Sequence, residues 1–222
     1  MIASKLLSAT PKILYGFGSL TEPVPATLKT AWDHRPQWKQ VHGIAFAEIT
    51  KPQQVCGDVD AMWTQTPGLP IAVATADCVP ILLCKKDGSK AAVIHAGWRG
   101  TLAKIADALW NHFASSGESP LDWNAVIGPC ISGAQYQVTE SMIADFQKIF
   151  SHLSPQLISP SYRHLDLGAL HEAHFRHLGF TDVENLALCT FESKTSNGFL
   201  FNSFRRDAEK SGRQYSILMI QS

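Results

Sequence analysis

The sequence predicts an α/β, α+β-like domain with mixed β-sheets. Three observations carry this. The short apolar runs Ile71–Ala74, Pro80–Cys84 and Ala91–Ile94 have the length and composition of strands buried on both faces. From Thr101 to Phe113 the period changes, with Leu102, Ile105, Ala106, Leu109 and Phe113 at helical spacing. The two patterns are interspersed without strict strand–helix–strand alternation, which favours mixed sheets. The whole chain, residues 1–222, is expected to form one domain.

In chain order, residues 1–38 read as a loop-rich entry segment, punctuated by Pro23, Pro25 and Pro36. Gln40 and His42 are two apart, so on an extended strand they face the same side. Ile44–Ile49 has strand composition. Asp77-Cys78 makes a turn between two buried runs, and the run Ala91–Ile94 ends at His95. After the helical stretch, Asn124–Ile127 reads as a strand ended by Gly128-Pro129. Thr139 can cap a helix reaching about Phe150, and Leu165–Leu178 reads as a helix ended by Gly179. Val183–Leu188, Gly198–Phe201 and Tyr215–Ile220 read as late strands.

Composition narrows the function classes. Hydrophobic residues make up 45% and charged residues 17%, enough for a sizeable core, so disorder is not expected. A net charge of +0 creates no field favouring nucleic acid or an anionic membrane. The five cysteines form no C-x-x-C pair, and their odd number argues against a disulfide framework and for a reducing compartment. The N-terminus lacks the apolar core of a signal peptide, and no apolar run spans a membrane, so a cytoplasmic protein is expected.

The chemistry concentrates in His42, Cys78 and His95, each beside a Gly, Pro or Asp at the end of an apolar run. Two imidazoles and a thiolate are three good zinc ligands, and a fourth position left to water makes such a site catalytic. The same residues also suit a nucleophilic cysteine with a histidine base. A buried, hydrogen-bonded histidine is the plainer alternative for His95. Gly97 and Gly100 after His95 allow close backbone approach to a ligand. Arg99, Gly100 and Thr101 open a helix whose free N–H groups suit an anion, and Arg99 adds a planar fork for phosphate. Arg205 and Arg206 offer a second anion contact, or a solvated charge pair. Asp77 can orient a histidine or move a proton, and is as readily an Asx-turn residue. Gln40 joins Asp77 and Arg99 as a catalytic candidate through its place beside His42. Asp58 and Asp60, two apart, suit acid–base chemistry or hold a turn, and the turn is the leading reading. His171, His174 and His177 do not match H-E-x-x-H and read as a partly exposed helix face. The remaining cysteines, 56, 84, 130 and 189, read as small hydrophobes.

Six stretches together resemble a known family. They are Gln40-Val41-His42-Gly43, Asp58-Val59-Asp60-Ala61, Thr75-Ala76-Asp77-Cys78-Val79-Pro80, His95-Ala96-Gly97-Trp98-Arg99-Gly100, Ile127-Gly128-Pro129-Cys130-Ile131 and Ser203-Phe204-Arg205-Arg206-Asp207. Their order and spacing over residues 40–214 are similar to the YfiH-like laccase-domain, or multicopper polyphenol oxidase, family. That family is also described as purine nucleoside phosphorylases and as peptidoglycan-editing factors. The resemblance implies mixed β-sheets sandwiched between helices, and one zinc on His42, Cys78 and His95. It implies phosphorolysis of adenosine, inosine and methylthioadenosine, with adenosine deamination as a further activity. Two departures stand out: the family's Gly-Gly-Val-Ser loop has no counterpart before Gln40, and Phe204 stands where the family usually has tyrosine.

Other readings remain at this level. An amidase acting on a cell-wall precursor would use Cys78 as nucleophile or zinc-activated water. A copper oxidase is disfavoured because the nine histidines include no H-x-H pair, although a His₂Cys site binds copper as well. A binding module would require a fourth protein ligand closing the site.

Overall fold

A computed structural model describes residues 2–221. The chain opens with the one-turn helix α1 (Lys5–Ala9) and strand β1 (Ile13–Phe17). Strands β2 (Gln37–Lys39), β3 (Phe46–Glu48), β4 (Val55–Asp58), β5 (Ala61–Thr64), β6 (Ile71–Thr75), β7 (Val79–Lys85) and β8 (Ala91–Ala96) follow. Helices α2 (Trp98–Leu102) and α3 (Ile105–Ser115) lead to β9 (Trp123–Ile127). Then come α4 (Glu140–Ile149), α5 (Pro155–Ile158), α6 (Leu167–His177) and β10 (Asp182–Asn185). The hairpin β11 (Lys194–Thr195) and β12 (Gly198–Phe199), the short α7 (Phe204–Asp207) and β13 (Gln214–Ile220) complete the chain.

The expected mixed sheets are present. A six-stranded sheet has the order β10-β9-β7-β8-β5-β3, parallel at its two outer pairs and antiparallel within. An antiparallel sheet, β1-β13-β6, stacks on one face of it. Side-chain alternation along the strands builds two cores. Ile81, Leu83 and Ile94 face Ile105, Leu109, Phe146 and Leu170 from the helices. Leu82, Val93 and Val126 face Ile71, Val73 and Leu218 of the smaller sheet. The central strands are therefore covered on both sides, as their unbroken apolar composition predicts.

The structure departs from the expectations in places with physical causes. The segment 1–38 contains α1 and β1, because Ser4 caps α1 by accepting from the Leu7 amide and Leu7 and Ile13 reach the core. The helix expected from Thr101 to Phe113 begins earlier, at Trp98, and breaks at Lys104, whose φ of 63° is left-handed. Periodicity missed the break because Leu102 and Ile105 stay on the buried face across it. β2 ends at Lys39, and His42 has a φ of 60°, so Gln40 and His42 do not share an extended strand. The strands expected at Ile44–Ile49 and Gly198–Phe201 shorten to Phe46–Glu48 and Gly198–Phe199. Thr139 does cap α4, accepting from the Met142 amide.

Candidate metal centre and the cavity above it

Sheet register assembles the centre. β8 runs antiparallel to β7 and β5, so its C-terminal end meets the N-terminal ends of both. His95, the penultimate residue of β8, therefore lies beside Cys78, just before β7, and Asp60, just before β5. His42 arrives from the loop between β2 and β3. Cys78 follows Asp77, whose φ of 90° turns the chain between β6 and β7.

One ligand atom each from His42, Cys78 and His95 lies within 4.8 Å of the others. His42 Nε2 is 3.8 Å from Cys78 Sγ, and the two imidazole centroids are 4.7 Å apart. His95 Nδ1 hydrogen-bonds Asp60 Oδ1 at 2.8 Å, which leaves Nε2 free to face the other two donors. Asp60, 1% exposed, also accepts from the amides of Val41, His42 and Gly43 at 3.2, 2.9 and 2.7 Å. Gly97 completes the cradle, since a Cβ there would lie 2.7 Å from His42 Cδ2 and 3.0 Å from Cys78 Sγ. Two imidazoles and a thiol converge, with one imidazole braced by a carboxylate, and the group lines an open cavity. The donor set fits a transition-metal ion with an open coordination position.

Burial pushes the Cys78 thiol up, but hydrogen bonds and charge from His42 and His95 outweigh it and bring the pKa down to about 6. Burial disfavours the His95 cation, yet Asp60 and Cys78 raise its pKa to about 9. For Asp60 burial opposes ionisation, and hydrogen bonds from His95 and the Gly43 amide win, holding its pKa below the usual carboxylate value.

A cavity of about 860 Å³ opens over this group. Trp38, Trp98, Tyr136 and Tyr215 supply aromatic walls, and Arg35, Arg99, Arg205 and Arg213 supply cationic ones. The Arg99 guanidinium lies 4.5 Å from the Trp98 ring centre, and that of Arg205 5.1 Å from Tyr136. Burial pushes the Tyr136 hydroxyl up to about 12, so it keeps its proton.

The sequence-derived candidates divide. His42, Cys78 and His95 converge, and Gln40, Asp77, Arg99 and Arg205 line the cavity. Gln40 is pinned by its carboxamide, which donates to the Ala74 carbonyl and accepts from the Ala74 amide at 2.8 Å each. Asp77 hydrogen-bonds neither histidine: its carboxylate accepts from Thr190 Oγ1 and the Arg205 amide, both at 2.6 Å. Asp77 thereby ties the Cys78 turn to α7. Three phosphate candidates are committed elsewhere. The Thr101 hydroxyl is buried and bonds the Gly97 carbonyl and His171 Nε2. Gly100 is buried with room for little beyond its hydrogen, a Cβ there lying 3.1 Å from the Gly43 carbonyl. Arg206 donates to the carbonyls of Thr190, Phe191 and Phe201 and pairs with Asp207, which makes it a structural brace.

Asp60, read as a turn residue, is the carboxylate that braces His95. Its signal was the apolar run after it, Ala61–Trp63, which marks a buried strand start. Arg35, Arg213, Trp38, Tyr136 and Tyr215 carried no sequence signal, because only tertiary packing brings them to the cavity. On α6, His171 and His174 are buried rather than exposed, His174 bonding His152 and Asp107 at 3.0 Å each.

Comparison with known proteins extends this picture. The family description "multi-copper polyphenol oxidoreductase laccase" matches residues 24–221. A purine nucleoside phosphorylase of Deinococcus radiodurans is 32% identical over 194 residues, covering 87% of this chain and 73% of that protein. The crystal structure of YfiH from Bacillus licheniformis superposes with a TM-score of 0.76 at 27% identity, over 87% of this chain and 77% of that one. YlmD from Geobacillus stearothermophilus shares the fold with a TM-score of 0.82 at 20% identity, over 99% of this chain and 94% of that one. Among the described residues no helix is long and apolar enough to cross a membrane.

Proposed function

The chain belongs to the multi-copper polyphenol oxidoreductase laccase family, and from that premise we propose that it is a zinc-dependent purine nucleoside phosphorylase. It would split adenosine, inosine and methylthioadenosine with inorganic phosphate into free base and the sugar 1-phosphate, and would also deaminate adenosine. The observation that carries this reading is the His42–Cys78–His95 group at an aromatic, arginine-lined cavity. Multi-copper oxidation requires several metal sites, whereas a single three-donor group is present among the described residues. His₂Cys donors suit zinc, and copper would also bind them.

His42, Cys78 and His95 would hold the metal, which supplies Lewis acidity to substrate when bound. Arg99 and Arg205 offer planar forks to phosphate, each backed by an aromatic face. Trp38 and Tyr215, on the small-sheet side, offer stacking surface for the purine. Tyr136 keeps its proton and can donate a hydrogen bond. Phosphate oxygen would displace the purine from the sugar anomeric carbon, while Asp77 holds the Arg205 backbone in place. The test is to incubate zinc-loaded protein with inosine and phosphate. Hypoxanthine and ribose 1-phosphate are expected, and intact inosine would refute the reading.

One observation favours a second reading. Cys78, with its pKa near 6 and His42 at 3.8 Å, has the character of an activated nucleophile, as a cell-wall-precursor amidase would need. Alkylation tests the free-nucleophile form of that reading. Zinc-loaded protein whose Cys78 resists iodoacetamide until chelation is not using a free thiolate.

A further inference from the structure

We infer that Asp60 is the positioning residue of the metal centre, one buried carboxylate that sets the orientation of both histidine ligands. Every hydrogen bond its side chain accepts comes from the ligand-bearing groups. His95 Nδ1 lies at 2.8 Å, and the amides of Val41, His42 and Gly43 lie at 3.2, 2.9 and 2.7 Å. Three successive amides converging on one carboxylate form a backbone nest around a fixed anion.

The two histidines are controlled in different ways. At His95 the carboxylate acts on the ring itself, holding the proton on Nδ1 and leaving the Nε2 lone pair for a metal. At His42 it acts on the backbone. His42 has a φ of 60°, a left-handed conformation that a residue with a side chain disfavours and that needs external support. The nest supplies that support, and the backbone angle in turn sets where the His42 ring points.

Asp60 is itself immobile. Its amide donates to the Ala45 carbonyl at 2.9 Å, and its carbonyl accepts from the His95 amide at 2.7 Å. With 1% of its surface exposed, water cannot take its place at the nest. Asp77, by contrast, sits next to Cys78 yet hydrogen-bonds neither histidine, so proximity in sequence to a ligand does not define the role.

This inference rests on the metal reading of the His–Cys–His group and is independent of the substrate. The test compares wild-type protein with Asp60→Asn. Zinc affinity is measured by competition with a chromophoric chelator, and site geometry by the visible spectrum of the cobalt-substituted protein. Asp60→Asn is expected to bind zinc about 10–100-fold more weakly, the cost usual for losing a ligand's outer partner. Its cobalt spectrum should lose the intensity of a tetrahedral site, while the far-ultraviolet circular dichroism of the metal-free protein stays that of the wild type. A folded Asp60→Asn protein with wild-type affinity and spectrum would overturn the inference. If that variant does not fold, ¹⁵N-histidine NMR of zinc-loaded wild-type protein decides the matter. A protonated Nδ1 on His95 supports the role, and a protonated Nε2 overturns it. Wild-type protein that takes up neither zinc nor cobalt would overturn the metal reading, and this inference with it.

Discussion

Gly97→Ala offers a sharp probe of the candidate metal centre. Gly97 caps α2 with φ −74° and ψ 170°, angles that alanine adopts without strain. Space is the obstacle. The added Cβ would lie 2.7 Å from His42 Cδ2, 3.0 Å from Cys78 Sγ and 3.5 Å from His42 Nε2. Ordinary carbon contacts fall at about 3.5–4.0 Å, so relief requires the His42 ring to move by about 1 Å. Metal–ligand distances tolerate only about 0.2 Å, so the displaced ring no longer completes the site. Losing an outer partner alone costs about 10–100-fold in metal affinity, so displacing a ligand should cost about 100-fold or more, or about 2.7 kcal/mol. The metal-free fold should suffer less. Crowding costs about 1–3 kcal/mol, partly offset by about 0.4–1 kcal/mol from the stiffer unfolded chain. Chelator competition gives the affinity, and thermal unfolding with and without zinc separates metal binding from folding. Zinc should raise the midpoint of the wild type and leave that of Gly97→Ala nearly unmoved. Wild-type affinity in Gly97→Ala would refute the argument that the glycine makes room for the ligands.

In metal-free protein Cys78 has its pKa lowered from 9.0 to about 6, so its thiolate is populated above pH 6 and is lost as pH falls through that value. Its iodoacetamide rate should level off near neutrality, and a rate still climbing through pH 8 contradicts the arrangement. Arg206→Ala should destabilise the fold by about 2–4 kcal/mol in urea unfolding, because three carbonyls lose their donor, with KM for phosphate unchanged. Arg99→Ala should leave stability nearly unchanged and raise KM for phosphate about tenfold or more, as expected for a charge-assisted contact, in steady-state kinetics. Thr101→Val should cost about 1–3 kcal/mol by stranding the buried His171 Nε2, while the Gly97 carbonyl keeps the residue 101 amide, read from the denaturant midpoint.

The central strands were legible because burial on both faces leaves a compositional mark, as in Ile81–Cys84 and Ala91–Ile94. The caps at Thr139 and Gly179 were legible for a similar reason, since both are local backbone chemistry. α1 and β1 were not, because short elements complete their hydrogen bonds and burial with distant partners such as Glu184 and β13. His42, Cys78 and His95 stood out as ligand types at the ends of apolar runs.

Sequence alone therefore determined the strand-rich core and picked out His42, Cys78 and His95 as candidate ligands, because composition and local backbone preference follow the order of residues. The tertiary structure decided which other groups serve them. Asp60 rather than Asp77 braces a histidine because antiparallel register sets the start of β5 against the end of β8. Arg205 faces the cavity while Arg206 braces the fold, because adjacent residues on the one-turn helix α7 point in different directions. Those are outcomes of strand pairing and packing between residues far apart in the chain, and no pattern along the sequence records them.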